Sequence, residues 1–423
     1  MLDLKAIREE PDRFRTAMAR RGRTEDLERA IALDSERRAV TVRVEELRAA
    51  VNKGSKEAGT ACSKEERERI IAGVREASAE LKDLEPRLAA VAEELDTLMA
   101  GLPNLPHESA PDGETEEDAV EVRRHGEPPK FGFKPRDHVE IGELLGCIDL
   151  ERGARTSGAR FVYLTGGLVY LQFALMRYAV DVLVSHGFTP VIPPVLVRDE
   201  AMYGTGFLPV DEAQIYVTRD ELYLVGTAEV PLAALHMGEI AEEADLPLRY
   251  VGYSSCFRRE AGAAGKDTRG IFRLHQFDKV EMFSFTRPED SWDEHEMLVG
   301  IEEEIVGGLD LPYRVVNVAA GDLGGAAAKK YDIEVWLPGQ ERYRELTSCS
   351  NCTDYQARRL QTRVRRTDKK IETLHTLNGT ASAVGRTIIA ILENHQRENG
   401  SVALPSALHP YLPEAERVLA PLS

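Results

Sequence analysis

The sequence predicts an α+β protein in two parts: an N-terminal antiparallel α-helical coiled-coil hairpin, then an antiparallel β-sheet flanked by helices. Three observations predict it. Residues 24–100 are rich in Glu, Arg, Ala, Lys and Leu and contain no aromatic side chain, so no ordinary globular core can form there. Within them Ile70, Val74, Ala77, Leu81, Leu84, Leu88, Val91, Leu95 and Leu98 alternate at spacings of four and three, the seam of a coiled coil. Beyond residue 115, β-rich segments at 250–257, 271–285, 313–318 and 333–337 come in neighbouring runs and not in strict alternation with helices, which favours an antiparallel sheet.

Taken in order, the first long helix repeats the seam at Val40, Val44, Leu47 and Val51, with Arg37 in a seam position beside Leu33. The segment 53–60, with Gly54 and Gly59, reads as the breaker, and Ser63 with Glu66 has capping-box spacing for the return helix. At about 1.5 Å per residue a helix over 63–99 reaches roughly 50 Å, beyond the radius of a compact domain. Pro86 interrupts the heptads and predicts a kink near Leu84. The Pro-rich, acidic stretch after Gly101 reads as a surface linker and places a boundary near 115, giving domains 1–114, with the arm at about 27–100, and 115–423.

Composition narrows the function. The 423 residues are 43% hydrophobic and 30% charged, enough for a sizeable core and against wholesale disorder. The longest apolar stretches, such as 380–392, are interrupted by Arg or Gly and fall short of the roughly 20 residues a bilayer span needs, so no membrane partner is expected. The start has neither an apolar h-region nor a transit-peptide composition, and five scattered cysteines fit a reducing compartment, so a cytoplasmic location is expected. Cys349 and Cys352 form a lone Cys-x-x-Cys with no second pair, and no zinc is expected. A net charge of −18 argues against indiscriminate nucleic-acid binding but leaves a local basic strip open. No glycine-rich phosphate loop of either common type occurs, so a nucleotide would be held by side chains.

Chemistry concentrates at 256–281 and 377–395. The first stretch is two strand-like runs joined by a Gly/Ala loop. On alternating positions Arg258 and Glu260 share a face, as do Arg273, His275, Phe277, Lys279 and Glu281. Arg258 suits a bidentate phosphate contact, Glu260 can accept from an amine, and Phe277 offers a stacking surface for a base. A solvated sheet face laced with ion pairs reads the same pattern equally well. The second stretch reads as a strand, a Gly turn and an apolar helix containing Arg386, which needs an anionic partner, either a polyphosphate or a structural carboxylate.

These residues carry a resemblance. Phe257-Arg-Arg-Glu-Ala-Gly, Thr268-Arg-Gly and His275-Gln-Phe-Asp-Lys-Val-Glu281 resemble motif 2 of the class II aminoacyl-tRNA synthetases. Asn378-Gly-Thr with Ala383-Val-Gly-Arg386 is similar to their motif 3, and Val191-Ile-Pro-Pro-Val to motif 1, with Pro194 at the expected dimer contact. Thr227-Ala-Glu229, Met202-x-Gly-Thr-Gly-x-Leu-Pro209, Ser348-Cys-Ser-Asn-Cys-Thr-Asp-Tyr and the hairpin after the Met1-Leu-Asp-Leu start resemble the seryl-tRNA synthetases across essentially the whole chain.

The resemblance implies a class II synthetase-type catalytic sheet and a two-step reaction. Serine and ATP give seryl-adenylate, and the seryl group then passes to serine tRNA, and to selenocysteine tRNA where one is present. It implies Arg258 on the α-phosphate, Arg386 on the γ-phosphate and over the adenine stacked on Phe277, Glu260 facing the adenine amine and Arg273 on the β- and γ-phosphates. Glu345 and Ser348 would hold Mg²⁺, with Arg258, Arg386 and Glu345 as the catalytic set. It further implies Thr227 and Glu281 around the amino group of serine, Arg258 near its carboxylate, and Asn378 and Thr380 near its hydroxyl. A homodimer is implied, with the arm of one subunit serving the other's active site. The arm carries 13 Lys/Arg against 18 Asp/Glu over residues 25–100, so only a strip of Arg37, Arg38, Arg43, Arg48, Lys53 and Lys56 is expected to meet tRNA phosphates. Two departures stand out: Asn378-Gly-Thr-Ala-Ser-Ala383, with Thr380 and Ser382, where the family more often has Asn-Gly-Ser-Gly/Ala-Leu-Ala, and Lys266 where Arg is common. A duplicate with altered inhibitor tolerance or acceptor, or a silent RNA-binding paralogue, is the alternative.

Overall fold

The structure, a computed structural model, describes residues 1–261, 267 and 269–422. The expectations placed on Lys266 and Thr268 lie outside the described residues. The chain divides into two compact units, Leu2–Leu102 and Pro103–Ser423, with Met1 counting in the second.

The first unit holds α1 (Leu4–Glu9), α2 (Pro11–Arg20) and two long helices, α3 (Thr24–Thr60) and α4 (Lys64–Gly101). α3 runs straight through 53–60, so the expected breaker is helical and the turn falls at 61–63. Gly54 has a packing reason instead: a Cβ there would lie 2.5 Å from Cγ2 of Val74, so the glycine lets the two helices approach. Ser63 caps α4 as its spacing predicts, its Oγ accepting from the amide of Glu66 at 3.1 Å. α4 stays helical through Pro86, which is exposed. The seam is buried toward the base at Val40, Val44, Leu47, Val91, Leu95 and Met99, and half-buried at Ile70, Val74, Leu81 and Leu84. Three interhelical ion pairs, Arg29–Glu94, Glu36–Arg87 and Arg43–Glu80, step seven residues along both helices in opposite directions. This ladder sets the antiparallel register the heptads require.

The second unit is built on an eight-stranded sheet: β1 (Val120–His125), β2 (Thr189–Val191), β3 (Leu248–Phe257), β4 (Gln276–Thr286), β5 (Tyr313–Asn317), β6 (Lys329–Leu337), β7 (Arg342–Thr353) and β8 (His375–Ala383). Their order is β1-β5-β6-β7-β8-β4-β3-β2, antiparallel throughout except for β2 beside β3. Helices α5 (Gly167–Ser185), α7 (Ser291–Gly308) and α8 (Val384–Asn394) pack with one face of the sheet around Leu175, Val280, Met282, Ile305, Ile333 and Ile388. The short helix α6 (Glu229–Ala233) packs over the far end with Phe283 and Phe285. Alternation along β4 thus divides Val280 and Met282 from Phe283 and Phe285. α5 is apolar and long enough by composition to cross a bilayer, yet Leu168, Leu171, Leu175, Ala179 and Leu183 are buried in this core.

Three sequence expectations change here. The segment after Gly101 is not a free surface linker: Pro103, Asn104 and Pro106 are buried, and Asn104 Nδ2 lies within hydrogen-bonding distance of the carbonyls of Ala326 and Cys352. The strand expected from 271 begins at Gln276, so Arg273 and His275 sit in the connection ahead of it. β8 runs through Gly379 with no turn, and α8 follows at once.

Candidate active site

β3, β4, β7, β8 and the first turn of α8 meet at one cavity of about 200 Å³. Arg258, Glu260, Arg273, Phe277, Glu345, Ser348, Thr380 and Arg386 all line it, so residues spread over 129 positions of sequence converge as expected. Two wider recesses continue from it. One, of about 490 Å³, opens past Arg258 and Glu260 toward Phe207, Asp211 and Gln214. The other, of about 780 Å³, opens past Glu345 and Arg386 toward Lys330 and Asp332.

Arg258 leaves the end of β3 with its Nε donating to the carbonyl of Gly226 at 3.2 Å and its guanidinium 5.4 Å from the ring of Phe277. The amide of Arg258 donates to the carbonyl of His275, and His275 Nδ1 lies 2.9 Å from the Arg258 carbonyl, so the two strand ends are clasped. Arg273 and Glu260 pair with each other at 3.3 Å. Arg386 lies over Phe272, its guanidinium 4.7 Å from that ring, with Arg344 on the same ring at 4.1 Å. The ring beneath Arg386 is Phe272, and the ring of Phe277 carries Arg258. The reading of 256–281 did not single out Phe272; its position directly before Arg273 was the available signal.

Glu345 and Ser348 are three apart, which in a regular strand places them on opposite faces. An irregularity resolves this: Ile333 pairs with Thr347 and Glu334 with Glu345, leaving Leu346 without a partner. This bulge lets both oxygens line the cavity. Burial raises the Glu345 carboxyl, but Arg386 and then Lys330 outweigh it and hold the group well below the usual carboxylate range. Among the described residues no cluster of three or more His, Cys, Asp or Glu is arranged around a metal position.

Of the residues expected around an amino acid, Thr380 and Arg258 line the cavity, while Thr227, Glu281 and Asn378 are buried around it. Asn378 Nδ2 donates to Glu229 Oε1 at 3.1 Å, Gln356 Nε2 donates to the same oxygen at 2.7 Å, and Thr227 Oγ1 accepts from the amide of Glu229 at 3.1 Å. Glu229 is thus the hub of this wall, and burial pushes its carboxyl up. Thr380 Oγ1 donates to Glu281 Oε2 at 3.4 Å. Ser382, expected to alter the pocket, is turned to Thr387, hydroxyl to hydroxyl at 3.4 Å, and is not part of the lining. Cys349 and Cys352 are buried, and burial pushes both thiols well up.

In the arm, Arg37 is turned to the buried Asp34 at 2.9 Å, Arg43 to Glu80 at 2.7 Å, Arg48 to Glu85 at 2.6 Å and Lys53 to Glu57 at 3.9 Å, while Arg38 is exposed. Most of the expected basic strip is therefore matched by acids of the arm itself.

Residues 1–106 match the seryl-tRNA synthetase N-terminal domain, and residues 215–395 match the tRNA synthetase class II core domain (G, H, P, S and T). The chain is 51% identical to a serine–tRNA ligase of Thermobifida fusca and 49% identical to one of Streptomyces coelicolor, in each case over the full length of both chains. It is similar in structure to seryl-tRNA synthetase from Pyrococcus horikoshii complexed with ATP, with a TM-score of 0.92, 44% identity and complete coverage of both chains. The cytoplasmic serine–tRNA ligase of Naegleria fowleri in complex with AMP gives a TM-score of 0.84 at 34% identity, covering 98% of this chain and 96% of that one.

Proposed function

The chain belongs to the seryl-tRNA synthetase family of class II tRNA synthetases, and from that premise, the ATP-driven ligation of serine to tRNA, we propose how its own residues divide the work. The observation that carries the reading is the convergence of Arg258, Arg273, Arg386, Phe277 and Glu345 on one cavity. In the first step the serine carboxylate attacks the α-phosphate in line and pyrophosphate leaves. No covalent help from the protein is needed, so positioning and charge neutralisation carry the catalysis. Arg258 binds the α-phosphate and the serine carboxylate, Arg386 the γ-phosphate and Arg273 the β- and γ-phosphates. Phe277 stacks on adenine and Glu260 accepts from its amine. In the second step the terminal ribose of the tRNA takes the seryl group.

Thr227 and Glu281 hold the α-ammonium of serine, and Asn378 and Thr380 its hydroxyl. Alanine or glycine would leave these buried polar groups unpaired, which penalises them. Glu345 and Ser348 suit Mg²⁺: one is a carboxylate kept ionised by Arg386, the other a hard hydroxyl oxygen on the same side of β7. When bound, the ion neutralises and orients the polyphosphate.

The α3–α4 arm grips serine tRNA, with Arg38 and Lys56 as exposed cations. The chain works as a homodimer, supported by an apolar surface on and near α5 and the edge strand β2: Phe173 is 59% exposed and Ile192 86%, with Tyr163, Tyr170 and Pro194 exposed beside them in sequence. Its place is the cytoplasm, in keeping with five unpaired cysteines. The test is amino-acid-dependent ATP–pyrophosphate exchange across the standard amino acids. Serine alone should support exchange, and exchange with threonine in place of serine would overturn the assignment of Thr380.

A further inference from the structure

Lys279 has no part in the roles above, yet its side chain is only 9% exposed. A lysine is buried this deeply only when its charge has a partner. Its ammonium contacts Oε2 of Glu281 and donates to Thr380 Oγ1 at 3.5 Å, and Thr380 donates to that same Oε2. The three side chains close a triangle. Lys279 and Thr380 line the cavity, whereas Glu281 is 1% exposed and does not. Both partners use Oε2, so neither occupies Oε1.

We propose that Lys279 is a positioning residue for the amino-acid substrate: it fixes Glu281 and Thr380 and keeps Glu281 a carboxylate that can receive the α-ammonium of serine. The inference rests on the amino-acid site proposed above. Charge around Glu281 gives the reason. Glu229 on α6 and Glu302 on α7 are buried carboxylates that oppose its ionisation or are opposed by it, and Cys256 on β3 and Cys349 on β7 are thiols that burial keeps neutral. Lys279 and, more weakly, Arg258 favour the anion, and the Thr380 hydroxyl donates to it. With Lys279 in place the Glu281 carboxyl stands at about 7; without the ammonium it rises further and stays protonated past neutrality, and a neutral acid holds a substrate cation poorly.

The experiment is serine-dependent ATP–pyrophosphate exchange by the full-length protein, comparing wild type with Lys279→Met and Lys279→Gln from pH 6 to 9. At pH 7 the KM for serine should rise at least tenfold while the KM for ATP stays within about twofold. The rising limb of kcat/KM for serine should move up by a pH unit or more. Should Lys279→Met not fold, Lys279→Gln carries the same comparison. A wild-type serine KM with an unmoved pH limb overturns the inference. So does an equal loss toward serine and ATP with an unmoved limb, the mark of a purely structural residue. Absence of serine-dependent exchange in the wild type would instead remove the underlying assignment of the site.

Discussion

Arg386 Nη1 lies 3.2 Å from Oε2 of Glu345 and donates to that residue's own carbonyl oxygen at 3.1 Å. One guanidinium at the start of α8 is thus tied at two points to a single residue of β7, and it has a carboxylate to stand against until a polyphosphate competes for it. Arg386→Ala should lower kcat/KM for ATP by about 10²–10³, the scale seen when one positioned donor to a developing charge is removed. tRNA binding measured on the same protein should change by less than twofold. Unchanged exchange would remove Arg386 from the phosphate contact.

The ladder of Arg29–Glu94, Glu36–Arg87 and Arg43–Glu80 selects a register and leaves few cations free for RNA. Arg38→Ala and Lys56→Ala should each raise the KM for tRNA several-fold in the transfer step. Each should lower the dependence of binding on salt by about one phosphate contact, with ATP–pyrophosphate exchange unaffected. An equal effect on exchange would mean that the arm acts on the fold and not on tRNA.

Asp34 is buried between Arg8 and Arg37, each at 2.9 Å. Burial raises its carboxyl, but the two arginines outweigh that and hold it below its usual value. Because the folded chain binds this proton less tightly than the unfolded one, the pairing stabilises above about pH 4 and is lost as the pH falls. Asp34→Ala should cost about 1–2 kcal/mol, read by urea unfolding, since it removes two charge-assisted hydrogen bonds while the half-exposed Arg8 and Arg37 can turn to water.

Burial pushes Glu281 up to about 7, with Lys279 pulling against it. An acid raised in this way is protonated on the low-pH side. If it holds the substrate ammonium as a carboxylate, kcat/KM for serine should climb between pH 6 and 8, while kcat at saturating serine stays nearly flat. A profile that is flat for serine would take Glu281 out of the ammonium contact.

Gly379 stands where a Cβ would meet Met282 Cε at 2.5 Å and Glu302 Oε1 at 2.8 Å. Gly379→Ala should therefore destabilise the protein by about 1–3 kcal/mol and raise the KM for serine through the neighbouring Asn378 and Thr380. Thermal unfolding and exchange kinetics read the two effects separately.

The local elements were legible because their causes are local. A heptad seam, a serine three residues before a glutamate, and alternating apolar positions each act within a few residues, and the long helices, the Ser63 cap and most sheet strands follow from them. Arg258 and Arg386 were legible by type only as candidates, beside a structural ion-pair reading, and Glu345 entered only through the resemblance. Other features depend on partners distant in sequence. Gly54 looks like a helix breaker until Val74 comes against it, and Arg43 looks like an RNA contact until Glu80 takes it up. Ser382 looks like part of a pocket until it turns to Thr387. Glu345 and Ser348 face one cavity only because the pairing of β6 with β7 skips Leu346, and strand register is settled between chains of contacts far apart in sequence. Residue type and spacing decide what a segment can be and which chemistry it can offer; which charge neutralises which, and which side of a strand meets the substrate, is decided when the sheet closes.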